Sequence, residues 1–511
     1  MRFDLSIPGQ LSAALAPDLL VIGGALVLLL VAVWGAESDA RQRMVGWGSL
    51  AVCALAAAAI AYEMSTGASA GPGVIAVDGF RWVSDLLILL ATALSIALTM
   101  DYGRRAGLVL AEAHVLMLLA ASGMMLLAAA RDLIVVFLGI ELMSIAIYIL
   151  AGLDRRSGRS AEAALKYFLL GAFASAFLLY GIALVYGATG STDIGRIAAA
   201  AGSDTVQTPV LVIGVGLMLV GFSFKVAAAP FHMWTPDVYD GAPTPFTAFM
   251  ASGVKIGAFA AFLRIWIEAF GPLYSAWHPA VWWLAVITMV VGNLIALSQR
   301  NIKRMLAYSS IAHAGYILVA VVVGSAGAPA FLFYLLAYTL ATVGAFAVVV
   351  VVGDSTNDLD IDHYSGLWTV RPWLAFAMAV FMLALLGFPI AGGMGFFAKW
   401  YVLEAALSNR PAQTRLAVVL VVTSVISAGY YLGVIRAMFM RPRAADAPAP
   451  APAGLLTGTV IAVAASALLL FGIFPNPVIA RAQKSAPVPA SAAKATAQAS
   501  PSAQASAARG H

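Results

Sequence analysis

The sequence predicts an all-α polytopic membrane protein of about fourteen transmembrane helices, with two inverted five-helix repeats that each contain a broken helix. Three observations predict it. The 511 residues are 62% hydrophobic and 10% charged, against about a quarter charged in a soluble domain. Long apolar runs recur from residue 17 to residue 474, and helices satisfy their own backbone groups in lipid. Two of those runs are interrupted by Pro and Gly beside a lysine, and paired interrupted helices point to an inverted-repeat transporter.

A bilayer core takes about 20 apolar residues per helix. Runs at 17–35, 45–62 and 83–100 form an N-terminal unit over residues 1–112. Only Arg2 supplies basic charge before the first run, and Asp4 and Asp18 offset it, so no cleavable signal peptide is expected. Cys53, the one cysteine, reads as a small buried hydrophobe; it excludes an intrachain disulfide and a cysteine-held cluster. Runs at 113–130, 132–152, 164–187, 208–229 and 246–268 form a first repeat over 113–270. Only Arg131 and Asp132 separate the first two, a tight hairpin. The fourth passes through Lys225 into AAAPFHMWTPDVYDGAPTP, where it breaks. Runs at 280–298, 304–323, 329–352, 372–408 and 416–439 form a second repeat over 271–440. Its fourth run is broken by Pro389, Gly392, Gly393 and Gly395, just before Lys399. A Pro/Ala linker and a last helix at 455–474 occupy 441–477, and the Ala/Ser/Pro/Gln-rich residues 478–511 read as a disordered tail.

The net charge of +5 comes largely from loop arginines and reads as orientation, not as a nucleic-acid footprint. Odd-numbered loops hold Arg41, Arg43, Arg104, Arg105, Arg155, Arg156, Arg159, Arg300, Lys303, Arg304, Arg371, Arg441 and Arg443. Even-numbered loops hold Arg81, Arg131, Arg196, Arg410 and Arg415. Odd loops are therefore expected in the cytoplasm and both termini outside.

Three of the seven lysines, Lys225, Lys255 and Lys399, lie inside apolar runs. A buried lysine can lose its proton, whereas arginine effectively cannot, and ionisable groups at membrane depth are costly and usually functional. Glu141 stands alone in DLIVVFLGIELMSIAIYIL and needs a partner or a proton. It is either a local helix-to-helix hydrogen bond or the partner that tunes Lys225. Lys225 and Lys399 sit beside helix breaks, where freed carbonyls can solvate an ammonium. Lys255, in a continuous helix with Ser252 a turn earlier, is placed to relay between them. Lys166 has two readings, a relay member or a side chain snorkelling to the interface. So does His313, a bridge in the proton path or a satisfied core histidine. His232 reads as a structural hydrogen-bonding residue of the first break, and Asp237 and Asp240 as caps or turn residues.

No Gly-rich phosphate loop, dinucleotide fingerprint, metal-ligand spacing or nucleophile elbow occurs. The segments GFSFKVAAAPFHMWTPDVYDGAPTPFTAFMASGVKIGAFA, RNIKRMLAYSSIAHAGYI and GGMGFFAKWYV resemble the antiporter-like membrane subunits of bacterial respiratory complex I, the NADH:quinone oxidoreductase. The resemblance spans about residues 110–440. Sister subunits are expected to differ, one with glutamate where Lys399 stands and one with a long lateral amphipathic helix. The C-terminal tail departs from the family pattern.

The resemblance implies fourteen helices with two inverted repeats, a Glu141–Lys225 pair, Lys255 as central relay and Lys399 as the second-channel lysine. It implies that NADH, FMN, iron–sulfur clusters and quinone belong to partner subunits, with no cofactor bound by this chain. The partners would be other membrane-arm subunits, including homologous antiporter-like ones, and lipid in the bacterial inner membrane. Function is then proton translocation driven by redox chemistry elsewhere in the complex. A sodium/proton antiporter subunit of an Mrp-like complex, which could use the same lysines, is the alternative, and a non-pumping structural subunit a third reading.

Overall fold

A computed structural model of the chain describes residues 2–34, 38–71, 73–108, 111–203, 208–353, 359–389, 393–444 and 449–487. Among them, 12 helical stretches are long and apolar enough to cross a membrane. The N-terminal unit contains α1 (Ala16–Val33), α2 (Asp39–Ser65) and α3 (Gly79–Ala106). Next come α4 (Ala111–Ala129), α5 (Leu133–Ala151), α6 (Gly158–Thr189), a helix in two pieces, α7 (Thr208–Lys225) and α8 (Trp234–Gly241), and α9 (Thr244–Glu268). The same order returns in α10 (Tyr274–Ala296), α11 (Ile302–Val323), α12 (Ala328–Gly353), the two pieces α13 (Pro372–Leu386) and α14 (Gly393–Ser408), and α15 (Thr414–Met440). Then α16 (Leu455–Ile473) and the short α17 (Asn476–Lys484) close the described chain.

Local chemistry sets these ends. Asp78, Asp132, Ser157 and Asn301 cap α3, α5, α6 and α11 with side-chain oxygens on the first free backbone N–H groups. After Lys225 the chain turns through Ala227 at φ +60°, and Pro230 supplies no N–H with which to continue a helix. Gly387 ends α13 at φ +78°. At Gly395 a β-carbon would lie 1.9 Å from the Ala384 carbonyl oxygen, so the two halves of this broken helix press backbone to backbone, a contact that needs glycine.

Helices α9, α11 and α12 are buried along almost all of their apolar length and form the centre, whereas α1, α2, α6, α15 and α16 expose most of theirs. Leu30, Phe173, Val425 and Leu455 are among the large apolar side chains left outside, a surface suited to lipid. Connections meet in two sets. Ile75 bridges to Ala130, Asp132 to Asp193 and Asn301 to Asp360, each joining loops of equal parity. Arg105 and Arg371 donate to the carbonyls of Pro452 and Pro450 in the linker. The strand Arg2–Phe3 pairs with Ser69–Ala70, and Arg481 of α17 reaches Met64, so both described ends meet the connection between α2 and α3.

Three expectations are corrected here. Arg81 is not a loop charge. It is fully buried, with Asp18 at 2.5 Å and Asp85 at 3.4 Å. Arg264 of α9 grips Asp78 at 2.7 and 2.9 Å, tying the N-terminal unit to the centre. The sequence hid this because an arginine one turn into a helix looks like a flanking charge. The helix of Lys255 is not continuous α-helix, since Met250–Val254 form a π-helical turn inside α9. The tail does not begin at 478, because α17 buries Ala482 against the body; residues 488–511 lie outside those described.

Candidate functional site

Lys225 is the last residue of α7, only 2% exposed. Its Nζ donates to Ser144 Oγ at 2.6 Å and to Tyr148 OH at 3.2 Å, both on α5. Ser144 and Tyr148 stand three and seven residues after Glu141, on its helix face. Glu141 accepts from Ser175 Oγ of α6 at 2.5 Å. The expected Glu141–Lys225 pair is therefore not a direct contact: Ser144 Oγ accepts from Lys225 and donates to Ile140 O, Glu141 bonds Ser175, and the carboxylate acts on the amine through its field. Freed carbonyls do not serve Lys225 either. Trp234 Nε1 takes Phe224 O at 3.0 Å and Ala228 N takes Ser223 O at 2.8 Å, because the chain folds back over the break.

Gly171 of α6 explains how Tyr148 reaches Lys225. A β-carbon there would lie 1.9 Å from the tyrosine hydroxyl. Only a side-chain tip would move aside, so the fold should survive Gly171→Ala while Lys225 loses an oxygen. A hydrogen bond to a charged group contributes about 1.5–3 kcal/mol. Any transport through Lys225 should slow several-fold in Gly171→Ala, and acridine-dye quenching in vesicles measures it.

Lys255 follows the π-helical turn directly, a feature frequent at functional sites. Its Nζ donates to the Ser310 carbonyl of α11 and lies 5.5 Å from the Tyr338 ring centre. Tyr338 OH donates to Ser310 Oγ at 2.8 Å. Ser252 bonds the Ala248 carbonyl of its own helix and takes no part. On the same α11, His313 pairs through Nδ1 with Tyr334 OH at 2.7 Å and through Nε2 with Tyr431 OH at 3.1 Å. Tyr431 OH also shares a hydrogen bond with Ser309 Oγ.

Lys399, in the second half of its broken helix, does use the break. Its Nζ donates to Leu386 O, the last carbonyl of α13, at 2.9 Å. It also lies 4.6 Å from the Tyr316 ring centre, and that ring is 5.6 Å from His313. Tyr316 OH accepts from Asn293, whose Oδ1 accepts from Tyr430 OH at 2.9 Å. Lys255, His313 and Lys399 thus lie in one buried tyrosine-rich neighbourhood, their hydrogen bonds forming separate clusters linked by ring contacts. Lys225 stands apart from it, beyond Tyr167 and Trp234 stacked at 4.2 Å.

Among the described residues, Lys225, Lys255 and Lys399 make no ion pair; neutral oxygens and π faces hold them. Lys255 and Lys399 can therefore give up a proton without stranding a buried carboxylate, whereas Lys225 still feels the field of Glu141. Lys166 differs. Its side chain is 41% exposed and bonds Glu162 and Asp237, each at 2.7 Å, while Arg304 reaches Asp237 at 3.0 Å. Of its two readings, the interfacial one fits this placement. Asp237 and Asp240 are ion-pair and hydrogen-bond partners more than turn residues. His232 is half-buried beside the backbone of Pro230.

Sequence reasoning missed Lys303, counted with the loop charges. It is 3% exposed, and its Nζ donates to Ala242 O at 2.6 Å and Asp240 O at 3.0 Å. Its spacing of seven to Ser310 and ten to His313 along one helix was the available signal. The tyrosines had none, since tyrosine is common in apolar helices. Among the described residues no group of three or more His, Cys, Asp or Glu side chains is placed to hold a metal ion.

Residues 130–427 match the profile of the NADH:quinone oxidoreductase/Mrp antiporter transmembrane family. A Gemmatimonas aurantiaca protein named NADH-quinone oxidoreductase subunit N is 52% identical over 493 residues, covering 94% of this chain and 95% of its own. A Chloroflexus aggregans protein of the same name is 44% identical over 495 residues, 95% of this chain and 99% of its own. A chain of respiratory complex I from Thermus thermophilus superposes with a TM-score of 0.75 at 38% identity, over 91% of this chain and 98% of that one. A chain of the Mrp complex from Dietzia superposes with a TM-score of 0.82 at 22% identity, over 92% and 96%, a likeness of fold alone.

Proposed function

The chain belongs to the NADH:quinone oxidoreductase/Mrp antiporter transmembrane family, and on that footing we propose that it is a proton-translocating membrane-arm subunit of an NADH:quinone oxidoreductase, of the kind its relatives call subunit N. The observation that carries the reading is the set of three buried amines held by neutral partners. Each can hold or release a proton, and tyrosine and serine hydroxyls lie around Lys255, His313 and Lys399 where water can complete a proton path.

In this reading Glu141 sets the field at Lys225 in a first half-channel. Lys255 receives protons at the centre. His313 and its tyrosines pass them to Lys399 and a second half-channel. Lys166 anchors α6 to α8 at the interface. The two sets of five helices, each with its fourth in two pieces, act as inverted repeats over 113–270 and 271–440, within a bundle of fourteen crossings. The equal-parity loop contacts support alternate crossing. The arginine distribution favours the bacterial inner membrane with odd loops in the cytoplasm and both termini in the periplasm. NADH, FMN, iron–sulfur clusters and quinone sit on partner subunits, and homologous antiporter-like subunits and lipid cover the exposed apolar flanks.

The sodium/proton antiporter reading has less behind it, since the 38% identity lies with complex I and the Mrp likeness, at 22%, is of fold alone. Vesicles carrying the intact complex test the choice. Acridine quenching should follow NADH oxidation and persist in sodium-free buffer. A proton gradient raised by a sodium gradient without NADH would favour the antiporter instead.

A further inference from the structure

Lys303 is the buried lysine that this path leaves unused. It lies in the first turn of α11, at the base of a pocket of about 240 Å³. Asp154, Ser157, Arg159, Ser160 and Asp240 line the pocket, which puts its mouth on the face of the odd loops. The Asp240 carboxylate bonds Asn301 at 2.9 Å and lies 4.0 Å from Arg304, so among the described residues the Lys303 amine hydrogen-bonds the carbonyls of Asp240 and Ala242 while the Asp240 carboxylate acts on it only through its field. Arg159 is the neighbouring like charge.

Polar groups continue inward from there. Thr247 Oγ1 donates to Tyr239 O at 3.0 Å and reaches Ala242 O, the carbonyl Lys303 uses, at 3.4 Å. The Tyr239 side chain meets Ser310. Ser310 in turn holds Lys255 through its carbonyl and Tyr338 through its hydroxyl. Lys303 and Ser310 are seven residues apart on one face of α11, about 10 Å along its axis. By contrast, the way from Lys225 toward Lys255 passes the Tyr167–Trp234 stack.

We infer that the Lys303 pocket is a proton port on the odd-loop face that loads Lys255 without passing Lys225. The inference rests on the reading of the buried amines as a proton path. A proton from the aqueous phase binds the neutral Lys303 amine. The resulting ammonium passes a proton to the Tyr239 and Ser310 hydroxyls and on to the neutral Lys255 amine, with water carrying it from Lys303 to Tyr239 and from Ser310 Oγ to Lys255, because the direct contacts at those two ends are to backbone carbonyls. Each hydroxyl takes one proton and releases one, so the net change is one proton moved inward.

The test uses the intact complex in inside-out vesicles with Lys303→Arg, Lys303→Met, Tyr239→Phe and Lys255→Arg. Lys303→Arg keeps the donors to Asp240 O and Ala242 O but stays charged and cannot release a proton. Assembly is checked on native gels. Lys303→Arg and Tyr239→Phe should each lower the initial rate of NADH-driven acridine quenching about tenfold. If Lys303 only clamps the end of α8, arginine will restore what methionine loses, and normal quenching by Lys303→Arg with impaired Lys255→Arg rejects the port alone. Normal quenching by both arginine variants rejects the underlying path as well. Should Lys303→Met fail to assemble, Lys303→Arg and Tyr239→Phe still decide.

Discussion

Lys399→Met is expected to stop net proton transport while Lys225 and Lys255 stay intact. Methionine fills similar space but carries no proton. It leaves Leu386 O without its donor and removes the charge from the Tyr316 ring. Losing that hydrogen bond costs about 1–3 kcal/mol, which an assembled membrane complex of this size should tolerate. The path, however, loses its last amine, because Lys399 is the lysine set over the Tyr316 ring that faces His313. NADH-driven quenching should fall at least about tenfold, a barrier change of about 1.4 kcal/mol or more. Near-normal quenching in a well-assembled Lys399→Met complex would remove Lys399 from the path.

Lys225→Arg is expected to have an effect of the same order for a different reason. Arginine keeps the positive charge facing Ser144 and Tyr148 but holds its proton at any physiological pH. Its longer planar fork must also fit a site that is 2% exposed, between α5 and the break. The complex should assemble, oxidise NADH more slowly and pump poorly. Gly171→Ala should do less, since it removes one of two oxygens and keeps the amine. If Lys225→Arg pumps normally, Lys225 is a structural charge. If Gly171→Ala impairs pumping more than Lys225→Arg does, Tyr148 acts in some way other than through Lys225.

The membrane helices were legible because lipid demands apolar length, which composition records directly. Both breaks were legible too, since Pro and Gly beside lysine leave a local mark. The partners of the amines were not. Glu141 and Lys225 read as a direct pair because each is a lone charge in an apolar run. The structure gives Lys225 to Ser144 and Tyr148 and Glu141 to Ser175, and a serine hydroxyl, which usually bonds its own helix, carries no signal of such a partner. Lys399 did use a freed carbonyl as its break suggested. Lys225 did not, because Trp234 and Ala228 reached those carbonyls first. Lys303 and Arg81 were misplaced by a shared rule. Charges at helix ends are counted as flanking, yet a first turn packed against neighbouring helices is as buried as a mid-membrane turn. The π-helical turn before Lys255 was invisible, since Met250–Val254 has the composition of ordinary helix.

Both proposed routes converge on Lys255, whose amine must change protonation as the complex turns over. The most direct measurement is the number of protons moved per NADH oxidised by purified complex in proteoliposomes, wild type against Lys255→Arg. Assembled Lys255→Arg complex should move clearly fewer protons per NADH, because a side chain that never releases its proton blocks both routes at their meeting point. An unchanged ratio in assembled Lys255→Arg complex would contradict that convergence.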